Sequence, residues 1–371
     1  MKVVYHSFGG RYSDNPRAIY EGLVAAGRAV QHVWLADPAH LAGFPAGTPT
    51  VEAGSPESVR VLEQADVVVS NTHIDVEWEK APGGVYLQTW HGTPLKHIHF
   101  DVLWEVPGRL ERLSQDVRRW DHLISPNADS TAPLRQAFGF PGEIAETGYP
   151  RNDVLSSPRR DEVRARLRRE LGIADGTTAV LYTPTWRDDL LDEDGKQSFA
   201  LHLDLDAFVD RLGGDHVLLL RLHSMVSDRL GPVDHPGVLD LSFHPDVSDL
   251  YLAADVMVTD YSSTMFDFAV TGKPLLFYTY DLEHYRDTLR GFYFDFSVHA
   301  PGPLLRTSGD VVDALADLER VREEYRDAYA RFQERFCHLE DGGATARVLE
   351  RFFPAGRGDA PRALAGTTRT D

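Results

Sequence analysis

Short apolar runs alternate with helix-like segments over the first 150 residues. Runs of Val, Leu, Ile and aromatic residues predict strands, and apolar positions recurring every three or four residues predict helices. Strands that alternate with helices form βαβ units, whose strands lie parallel in one sheet. The predicted strands are residues 2–6, 30–35, 67–70, 85–89 and 122–125, and the predicted helices are residues 16–26 and 55–65.

The pattern repeats after residues 148–162, a segment rich in Pro, Gly, Ser and charge that predicts a hinge. Two later runs, residues 179–182 and 217–222, are almost wholly apolar, which is typical of strands buried on both faces. Further strands are predicted at residues 238–240, 256–259 and 274–277, and helices at residues 159–171, 247–254, 265–271 and 309–336.

These elements predict an α/β fold with two Rossmann-like parallel-sheet domains facing a cleft. We expect an N-terminal domain over residues 1–150, a C-terminal domain over 151–308, terminal helices over 309–353 and a disordered tail over 354–371. In open parallel sheets, ligands bind beyond the carboxyl ends of the strands, so the cleft would hold the ligand there.

The composition narrows the class of protein. The net charge of −19 argues against a nucleic-acid partner, although a local group of Arg and His residues could still bind an anion. Cys337 is the only cysteine, which excludes an internal disulfide and fits a reducing compartment. No run approaches the ~18–20 apolar residues that span a bilayer. We therefore expect a cytoplasmic protein, with peripheral attachment to a membrane left open.

Polar motifs follow four of the predicted strands: WHGTPLK at residues 90–96, TPTWRDD at 183–189, HSM at 223–225 and DYSSTMFDF at 260–268. Four such strand ends are hard to assign to packing, because that edge of a parallel sheet is where ligands bind. His91 stands in the first motif, on a loop of small and polar residues. It is either a catalytic group or a buried histidine satisfied by backbone groups.

The hydroxyl and cationic side chains in these motifs have two interpretations each. Ser262 and Ser263 precede a helix, where they could be N-caps or part of a phosphate site. Asp267 could stabilise the helix dipole or bind a ribose hydroxyl. The Arg221-Leu222-His223 strand end suits an anion. Arg151 is a third candidate cation, or an exposed charge in the hinge.

Several familiar sites are absent from the sequence. There is no G-x-S-x-G elbow, P-loop or paired-cysteine zinc motif, and the loop SFGGRYSDNP is not a dinucleotide fingerprint. The acidic run at residues 188–195 misses the spacing of a calcium loop. We therefore predict no metal site and no cofactor.

Six segments resemble, in the same order, those of the CDP-glycerol glycerophosphotransferases of wall teichoic acid synthesis. They are SFGGRYSDNPRAIYEGL, QTWHGTPLK, GYPRND, LYTPTWRD, LRLHS and DVSDLYLAADVMVTDYSSTMFDFAVTGKPLLFY. The resemblance implies a glycosyltransferase-B-like fold and transfer of a polyol phosphate from CDP-glycerol or CDP-ribitol, with release of CMP. The implied acceptor is a hydroxyl of a polyprenol-linked glycan or of a polyol-phosphate chain.

The resemblance also implies roles for individual residues. His91 would be the general base on the acceptor hydroxyl, and His223 would hydrogen-bond the diphosphate. Arg, Ser and backbone donors could then neutralise the diphosphate without a metal. The residues implied to line the CDP-polyol site are Gly92, Thr93, Pro94, Leu95, Arg151, Pro184, Thr185, Arg221, Leu222, Ser262, Ser263 and Asp267.

Two departures from the family bear on specificity. Ser297, Val298 and His299 stand where the family often has acidic residues, which leaves the polyol and the acceptor open. The chain lacks the long N-terminal region of polymerising members, from which we expect single addition. The alternatives are a nucleotide-sugar glycosyltransferase of the same fold and a non-catalytic nucleotide-binding protein.

Residues 100–120 predict a pair of amphipathic helices split at Pro107. Their apolar positions could dip into a membrane interface, which would suit a lipid-linked acceptor. They could equally cover the core of the domain.

Overall fold

A computed structural model describes residues 1–103, 109–185, 187, 189–190, 200–222 and 233–354, with Arg109 described by its backbone alone. The described chain divides into two compact units. The first unit comprises described residues of Met1–His91, Val106–Asp153 and Gly342–Asp371, and the second comprises those of Gly92–Glu105 and Val154–Asp341. No helix among these residues is long and apolar enough to cross a membrane.

The first unit is built on a parallel sheet of seven strands in the order β3-β2-β1-β4-β5-β6-β7. Its central strands are buried on both faces, as the continuous apolar runs predict. The strands are β1 Lys2–His6, β2 Gln31–Ala36, β3 Thr50–Glu52, β4 Val67–Ser70, β5 Val85–Gln88, β6 His122–Ser125 and β7 Glu143–Glu146.

Helices cover this sheet and close its core around Trp34 and Tyr5, which are fully buried. Short 3-10 turns lie at Pro38–Gly43 and Pro150–Ser156. The helices are α1 Asp14–Ala25, α2 Pro56–Glu63, α3 Arg109–Val117 and α4 Ala128–Phe138, together with α13 Ala344–Phe352 near the end of the described chain.

The second unit has a parallel sheet of six strands in the order β10-β9-β8-β11-β12-β13. Its strands are β8 Thr178–Thr183, β9 His216–Leu220, β10 Val238–Asp240, β11 Val256–Thr259, β12 Leu275–Tyr278 and β13 Leu304–Leu305. A 3-10 turn at His99–Asp101 and a π-turn at Tyr285–Leu289 also belong to it. Its helices are α5 Arg160–Glu170, α6 Leu205–Leu212, α7 Val247–Ala253, α8 Thr264–Ala269, α9 Leu282–His284, α10 Phe296–His299, α11 Ser308–Ala316 and α12 Leu318–Phe336.

Each sheet has a switch point where the strand order reverses, and ligands of such sheets bind beside it. In the first unit it lies between β1 and β4, where His6 Nδ1 is 3.0 Å from Ser70 Oγ. In the second unit it lies between β8 and β11, where Thr183 Oγ1 donates to Thr259 Oγ1 at 3.0 Å. The loops beyond these four residues are therefore placed for ligand binding.

The predicted α/β class with two parallel-sheet domains is confirmed. Five strands, 2–6, 67–70, 122–125, 238–240 and 256–259, have the predicted bounds. One long helix over 309–336 is wrong, because the chain breaks between α11 and α12 at Asp317 (φ −138°, ψ 64°), whose carboxylate accepts from the N–H of Arg320. Strands β3, β7 and β13 and helices α4, α6, α9 and α10 were not predicted.

The division between the units differs from a simple split of the chain. The chain passes from the first unit to the second between Asp153 and Val154, inside the segment predicted as a hinge. Helix α13 then returns to the first unit, where the Asp153 carboxylate accepts from the N–H groups of Ala344 and Thr345 at 2.9 and 2.8 Å. Thr345 also lies so close to Gly22 of α1 that a Cβ at Gly22 would stand 2.6 Å from Thr345 Cγ2.

Of the predicted pair of helices over residues 100–120, the one after Pro107 is present as α3 Arg109–Val117, whereas described residues 100–103 form no α-helix. The start of the segment forms only the 3-10 turn at His99–Asp101, after which Phe100 and Leu103 remain exposed. Its end is α3 and the buried residues Val117 and Trp120, and the Trp120 ring packs against Phe138 with ring centroids 5.1 Å apart. Residues 104–108, with Pro107, lie outside the described residues.

Candidate active site

His91 lies in the loop after β5, and one of its ring nitrogens is already engaged. Its Nδ1 lies 2.6 Å from the backbone carbonyl oxygen of Asn71, which follows β4. A carbonyl oxygen can only accept, so Nδ1 carries the proton and donates it. In the neutral ring this leaves the Nε2 lone pair to accept a proton from another group. The hydrogen bond therefore fixes the tautomer that a general base needs.

The surroundings of His91 keep its ring neutral at physiological pH. Burial lowers the pKa of His91 to about 4, and the hydrogen bond to Asn71 and the Asp14 carboxylate oppose that shift. The Arg151 guanidinium lowers the pKa further by repelling the charged ring. The ring of Trp90 stands against the imidazole with their centroids 4.0 Å apart.

Three buried side chains hold the backbone on both sides of the His91 ring. Arg151 Nη1 donates to the carbonyl oxygen of His91 at 2.8 Å and is paired with the Asp14 carboxylate. Asn15 Nδ2 donates to the carbonyl oxygen of Trp90 at 3.1 Å, and Asn15 Oδ1 accepts from the N–H of Arg151 at 3.1 Å. The loop is thus clamped to the start of α1.

The clamp holds two residues in an unfavourable backbone conformation. Trp90 has φ 53° and Asp14 has φ 63°, in the left-handed region that residues with a Cβ avoid. Each such residue costs about 1–2 kcal/mol. Strain of this size persists only where surrounding contacts fix the chain, as the hydrogen bonds of Asn15 and Arg151 do here.

Arg151 was predicted to be a cation for the substrate or an exposed hinge charge. It is buried, and the described contacts of its Nη1 are with the protein. Its guanidinium is paired with the Asp14 carboxylate, and the central carbon of that guanidinium lies 5.1 Å from the centroid of the Tyr149 ring. The exposed-charge interpretation is therefore wrong.

Gly92, which follows His91 in the WHGTPLK motif, belongs to the second unit and packs against Ser263 of the DYSSTMFDF motif. A Cβ at Gly92 would stand 2.6 Å from Ser263 Oγ and 2.8 Å from Ser263 Cβ, so only glycine fits there. Thr93, Pro94 and Leu95 are buried beyond it, and Leu95 belongs to the core of the second unit. The chain after Gly92 is thereby fixed in place.

Asp260 joins the motif after β8 to the motif after β11. Its carboxylate accepts from the N–H of Thr185 at 3.0 Å and from Thr185 Oγ1 at 2.5 Å. It also accepts from the N–H of Tyr261 at 2.6 Å and from Arg187 Nη1 at 3.1 Å. Pro184, half-buried, precedes this contact. The two loops at the switch point of the second unit are therefore one assembly.

Arg187 is the buried cation of that assembly. Its Nε and Nη2 donate to the two oxygens of Asp281 at 2.7 and 3.0 Å, and its Nη1 donates to the carbonyl oxygen of Thr185 at 2.6 Å. Asp260 and Asp281 hold the pKa of Arg187 above its usual value despite burial. The guanidinium lies within 5.2 Å of three aromatic ring centroids, those of Tyr261, Tyr280 and Tyr285.

Arg221 and Leu222, both predicted to line the CDP-polyol site, make hydrogen bonds to the loop after β10. Arg221 Nη1 donates to the carbonyl oxygens of Leu241, Ser242 and His244, and the N–H of Leu222 donates to Ser242 Oγ at 3.0 Å. These contacts tie the end of β9 to the loop after β10. His223 lies outside the described residues, as do the HSM motif and most of the acidic run at 188–195.

The capping interpretation holds for one of the two serines only, because Ser262 Oγ accepts a long hydrogen bond at the start of α8 and Ser263 Oγ caps nothing. Ser263 occupies the N-cap position of α8 but makes no side-chain cap, and Ser262 Oγ lies 3.4 Å from the N–H of Thr264. Both side chains are partly exposed, so their hydroxyls are accessible. Asp267 is buried in the first turn of α8, where its charge suits the dipole.

Sequence reasoning missed Asn71, Asp14 and Asn15, and it included Asp260 and Arg187 in motifs without giving either residue a role. Asn71 could have been found by the rule that identified the other motifs, because it directly follows a predicted strand. Among the described residues, no three His, Cys, Asp or Glu side chains are grouped as metal ligands would be.

Comparisons with known proteins point in one direction. Residues 1–354 match the family described as CDP-Glycerol:Poly(glycerophosphate) glycerophosphotransferase. A teichoic acid glycerol-phosphate transferase of Staphylococcus aureus (strain NCTC 8325 / PS 47) is 38% identical over 361 residues, which are 95% of this chain and 92% of that protein. A teichoic acid poly(glycerol phosphate) polymerase of Bacillus subtilis (strain 168) is 36% identical over 95% of this chain, which spans only 48% of that polymerase.

The fold has a similarly close counterpart among solved structures. A variant of the wall teichoic acid polymerase TagF, soaked with CDPG, superposes with a TM-score of 0.85 at 35% identity. The match covers 94% of this chain and 87% of that one.

Proposed function

The chain belongs to the CDP-glycerol:poly(glycerophosphate) glycerophosphotransferase family, and we propose that it transfers glycerol phosphate from CDP-glycerol to a hydroxyl of a teichoic-acid-like acceptor, releasing CMP. The fixed tautomer of His91 carries this proposal. The hydroxyl that attacks the activated phosphoryl group must lose its proton to a base, and neutral His91 supplies one with Nε2 as the accepting atom.

The proposed reaction forms one P–O bond and breaks another. The acceptor oxygen attacks the phosphorus that bears the glycerol, and its proton passes to His91 Nε2. The bond from that phosphorus to the bridging oxygen breaks, and CMP leaves with that oxygen. The catalytic contribution is then chiefly positioning and stabilisation of charge on the diphosphate.

The first unit would bind the acceptor, and the second would bind the donor. His91 and Gly92 are consecutive, so the base and the start of the donor-binding loop are covalently adjacent. In the second unit, Gly92 contacts Ser263, and Thr185 is held by Asp260. We infer that backbone and hydroxyl donors of these loops hold the diphosphate. The remaining residues predicted for this site are Thr93, Pro94, Leu95, Arg151, Pro184, Arg221, Leu222, Ser262, Asp267 and His223.

We favour glycerol over ribitol as the transferred polyol. The S. aureus and B. subtilis relatives are both named for glycerol phosphate. A polyprenol-linked acceptor and attachment to a membrane surface remain part of this proposal. Exposed Phe100 and Leu103 would supply apolar contacts at such a surface.

Incubation of the purified protein with a teichoic-acid-like acceptor and one of four nucleotides tests the function. CDP-glycerol, CDP-ribitol and UDP-glucose are the possible donors, and CMP, which carries no group to transfer, is the negative control. The readouts are nucleotide release and extension of the acceptor. We expect CMP release and acceptor extension with CDP-glycerol. Transfer from UDP-glucose alone would establish a nucleotide-sugar glycosyltransferase, and no turnover with any donor would leave a nucleotide-binding protein.

A further inference from the structure

The loop after β1 presents an aromatic side chain to solvent in a conformation that such a side chain avoids. Phe8 has φ 43° and is 37% exposed, so it contributes little to the core. Gly9 and Gly10 follow with φ of 73° and 122°, conformations that glycine tolerates. Backbone strain at an exposed apolar residue does not stabilise the fold, and such strain is found mostly at ligand-binding and catalytic sites.

Contacts within the first unit fix this loop. The carbonyl oxygen of Ser7 accepts from the N–H groups of Gly10 and Arg11 at 2.9 and 2.8 Å. The N–H of Asp37 donates to the carbonyl oxygen of Gly10 at 3.0 Å, and a Cβ at Gly10 would stand 2.2 Å from that nitrogen. The position of Phe8 is therefore set by the backbone around it.

Asn71 connects Phe8 to the base. Its Oδ1 accepts from the N–H of Phe8 at 3.1 Å, while its backbone carbonyl accepts from His91 Nδ1 at 2.6 Å. The Phe8 and His91 rings stand 5.2 Å apart between centroids, tilted by 57°. One buried asparagine thus sets both the aromatic ring and the imidazole.

Phe8 and Asn71 lie on the two loops at the switch point of the first unit. Asn71 directly follows β4 and Phe8 stands two residues after β1, whose last residue, His6, is in register with Ser70. Ligands of open parallel sheets bind at this place, and aromatic side chains commonly line such sites. A ligand there would lie beside His91.

We propose that Phe8 forms an acceptor subsite, its ring packing against the C–H face of the polyol or sugar unit whose hydroxyl gives its proton to His91. This assignment rests on the proposed function, because it identifies the ligand as the acceptor. Aromatic rings bind such faces through buried apolar area, while the hydroxyls stay free to react. Phe8 would then affect acceptor binding and leave donor binding unchanged.

The test compares three variants of the full chain: Phe8→Ala, Phe8→Tyr and Leu41→Ala. Leu41 is a matched control because it is an exposed apolar residue (47%) of the first unit on the turn Pro38–Gly43. We expect Phe8→Ala to lower kcat/KM for the acceptor about tenfold, with the KM for CDP-glycerol unchanged. Phe8→Tyr should keep wild-type values, and Leu41→Ala should change neither constant.

Three results would overturn the subsite. One is an unchanged acceptor KM in Phe8→Ala, with transfer by the wild type intact. Another is an equal loss for donor and acceptor. The third is an altered pH profile at constant acceptor KM, which would show that Phe8 only shields His91 from water. If the wild type itself releases no CMP from CDP-glycerol, the proposed function fails as well, so the two failures are distinguishable.

Discussion

Arg151 Nη1 donates a 2.8 Å hydrogen bond to the carbonyl oxygen of His91. This contact joins the GYPRND segment to the WHGTPLK loop, which are 60 residues apart in the chain. The carboxylate of Asp14 balances the buried guanidinium. Arg151 therefore fixes the backbone of the loop that carries His91.

Asp14→Asn should destabilise the protein and slow transfer. The substitution leaves the buried charge of Arg151 uncompensated, which costs about 3 kcal/mol in the free energy of unfolding. Since the His91 loop then loses its anchor, kcat should fall while the KM for CDP-glycerol stays constant. Urea unfolding and initial rates measure the two effects.

The matched control is an exposed ion pair. Glu170 accepts from Arg166 at 3.3 Å, and both side chains are 54% exposed. Glu170→Gln should change the unfolding free energy by less than about 0.5 kcal/mol. Equal effects of the two substitutions would show that the Asp14–Arg151 pair does not hold the loop.

Gly92→Ala should weaken binding of CDP-glycerol. The new Cβ would meet Ser263 at 2.6 Å, so the loop or the serine must move. We expect the KM for CDP-glycerol to rise about tenfold, as measured by CMP release. Gly43→Ala is the control, because nothing lies within 4 Å of a Cβ there. An unchanged KM for CDP-glycerol in Gly92→Ala would show that the contact between Gly92 and Ser263 does not affect donor binding.

The stability of the protein should fall in acid because of His6. Burial lowers the pKa of His6 to about 4, below its usual value of 6.5. The unfolded chain then binds more protons than the folded chain between these values, so stability is full above the unfolded pKa and is lost as the pH falls towards 4. From about pH 7 to about pH 4.5 the loss is about 2–3 kcal/mol.

His6→Gln isolates this contribution. The variant lacks the titrating group, so its unfolding free energy should fall by about 2–3 kcal/mol less than that of the wild type over the same pH range. Denaturant unfolding at several pH values gives the difference. Parallel curves for the two proteins would mean that His6 does not titrate in this way.

His91 should keep its neutral, base form well below neutral pH, and the rate of transfer should follow it. With the pKa of His91 lowered to about 4, the neutral ring predominates above that pH. The acid limb of kcat/KM, which reports the free enzyme, should therefore have its midpoint closer to 4 than to 6.5. A midpoint near 6.5 would indicate that His91 is solvated as in a free peptide.

The sequence predicted the central strands well because they are buried on both faces, and their apolar runs leave no other interpretation. Edge strands such as Thr50–Glu52 and Glu143–Glu146 were not predicted, since they are short and carry exposed charges. The break at Asp317 was not predicted either. No Gly or Pro marks it, and the side chain that ends one helix caps the next.

The site was only partly predictable for a similar reason. His91 and Ser263 stand in motifs that follow strands, so their positions could be inferred. The clamp could not, because Asp14 and Asn15 precede Pro16 and look like a loop, whereas they begin α1. Contacts between residues far apart in the chain, such as Asn71 with His91, leave no local pattern.

The most direct test of the account is CMP release by His91→Ala at saturating CDP-glycerol and acceptor, beside His338→Asn, which alters an exposed histidine of the second unit. We expect His91→Ala to lower kcat by at least about 10²-fold, the contribution of a general base, with the wild-type unfolding midpoint and the wild-type KM for CDP-glycerol. His338→Asn should match the wild type. A folded His91→Ala protein that releases CMP at the wild-type rate would contradict the central claim.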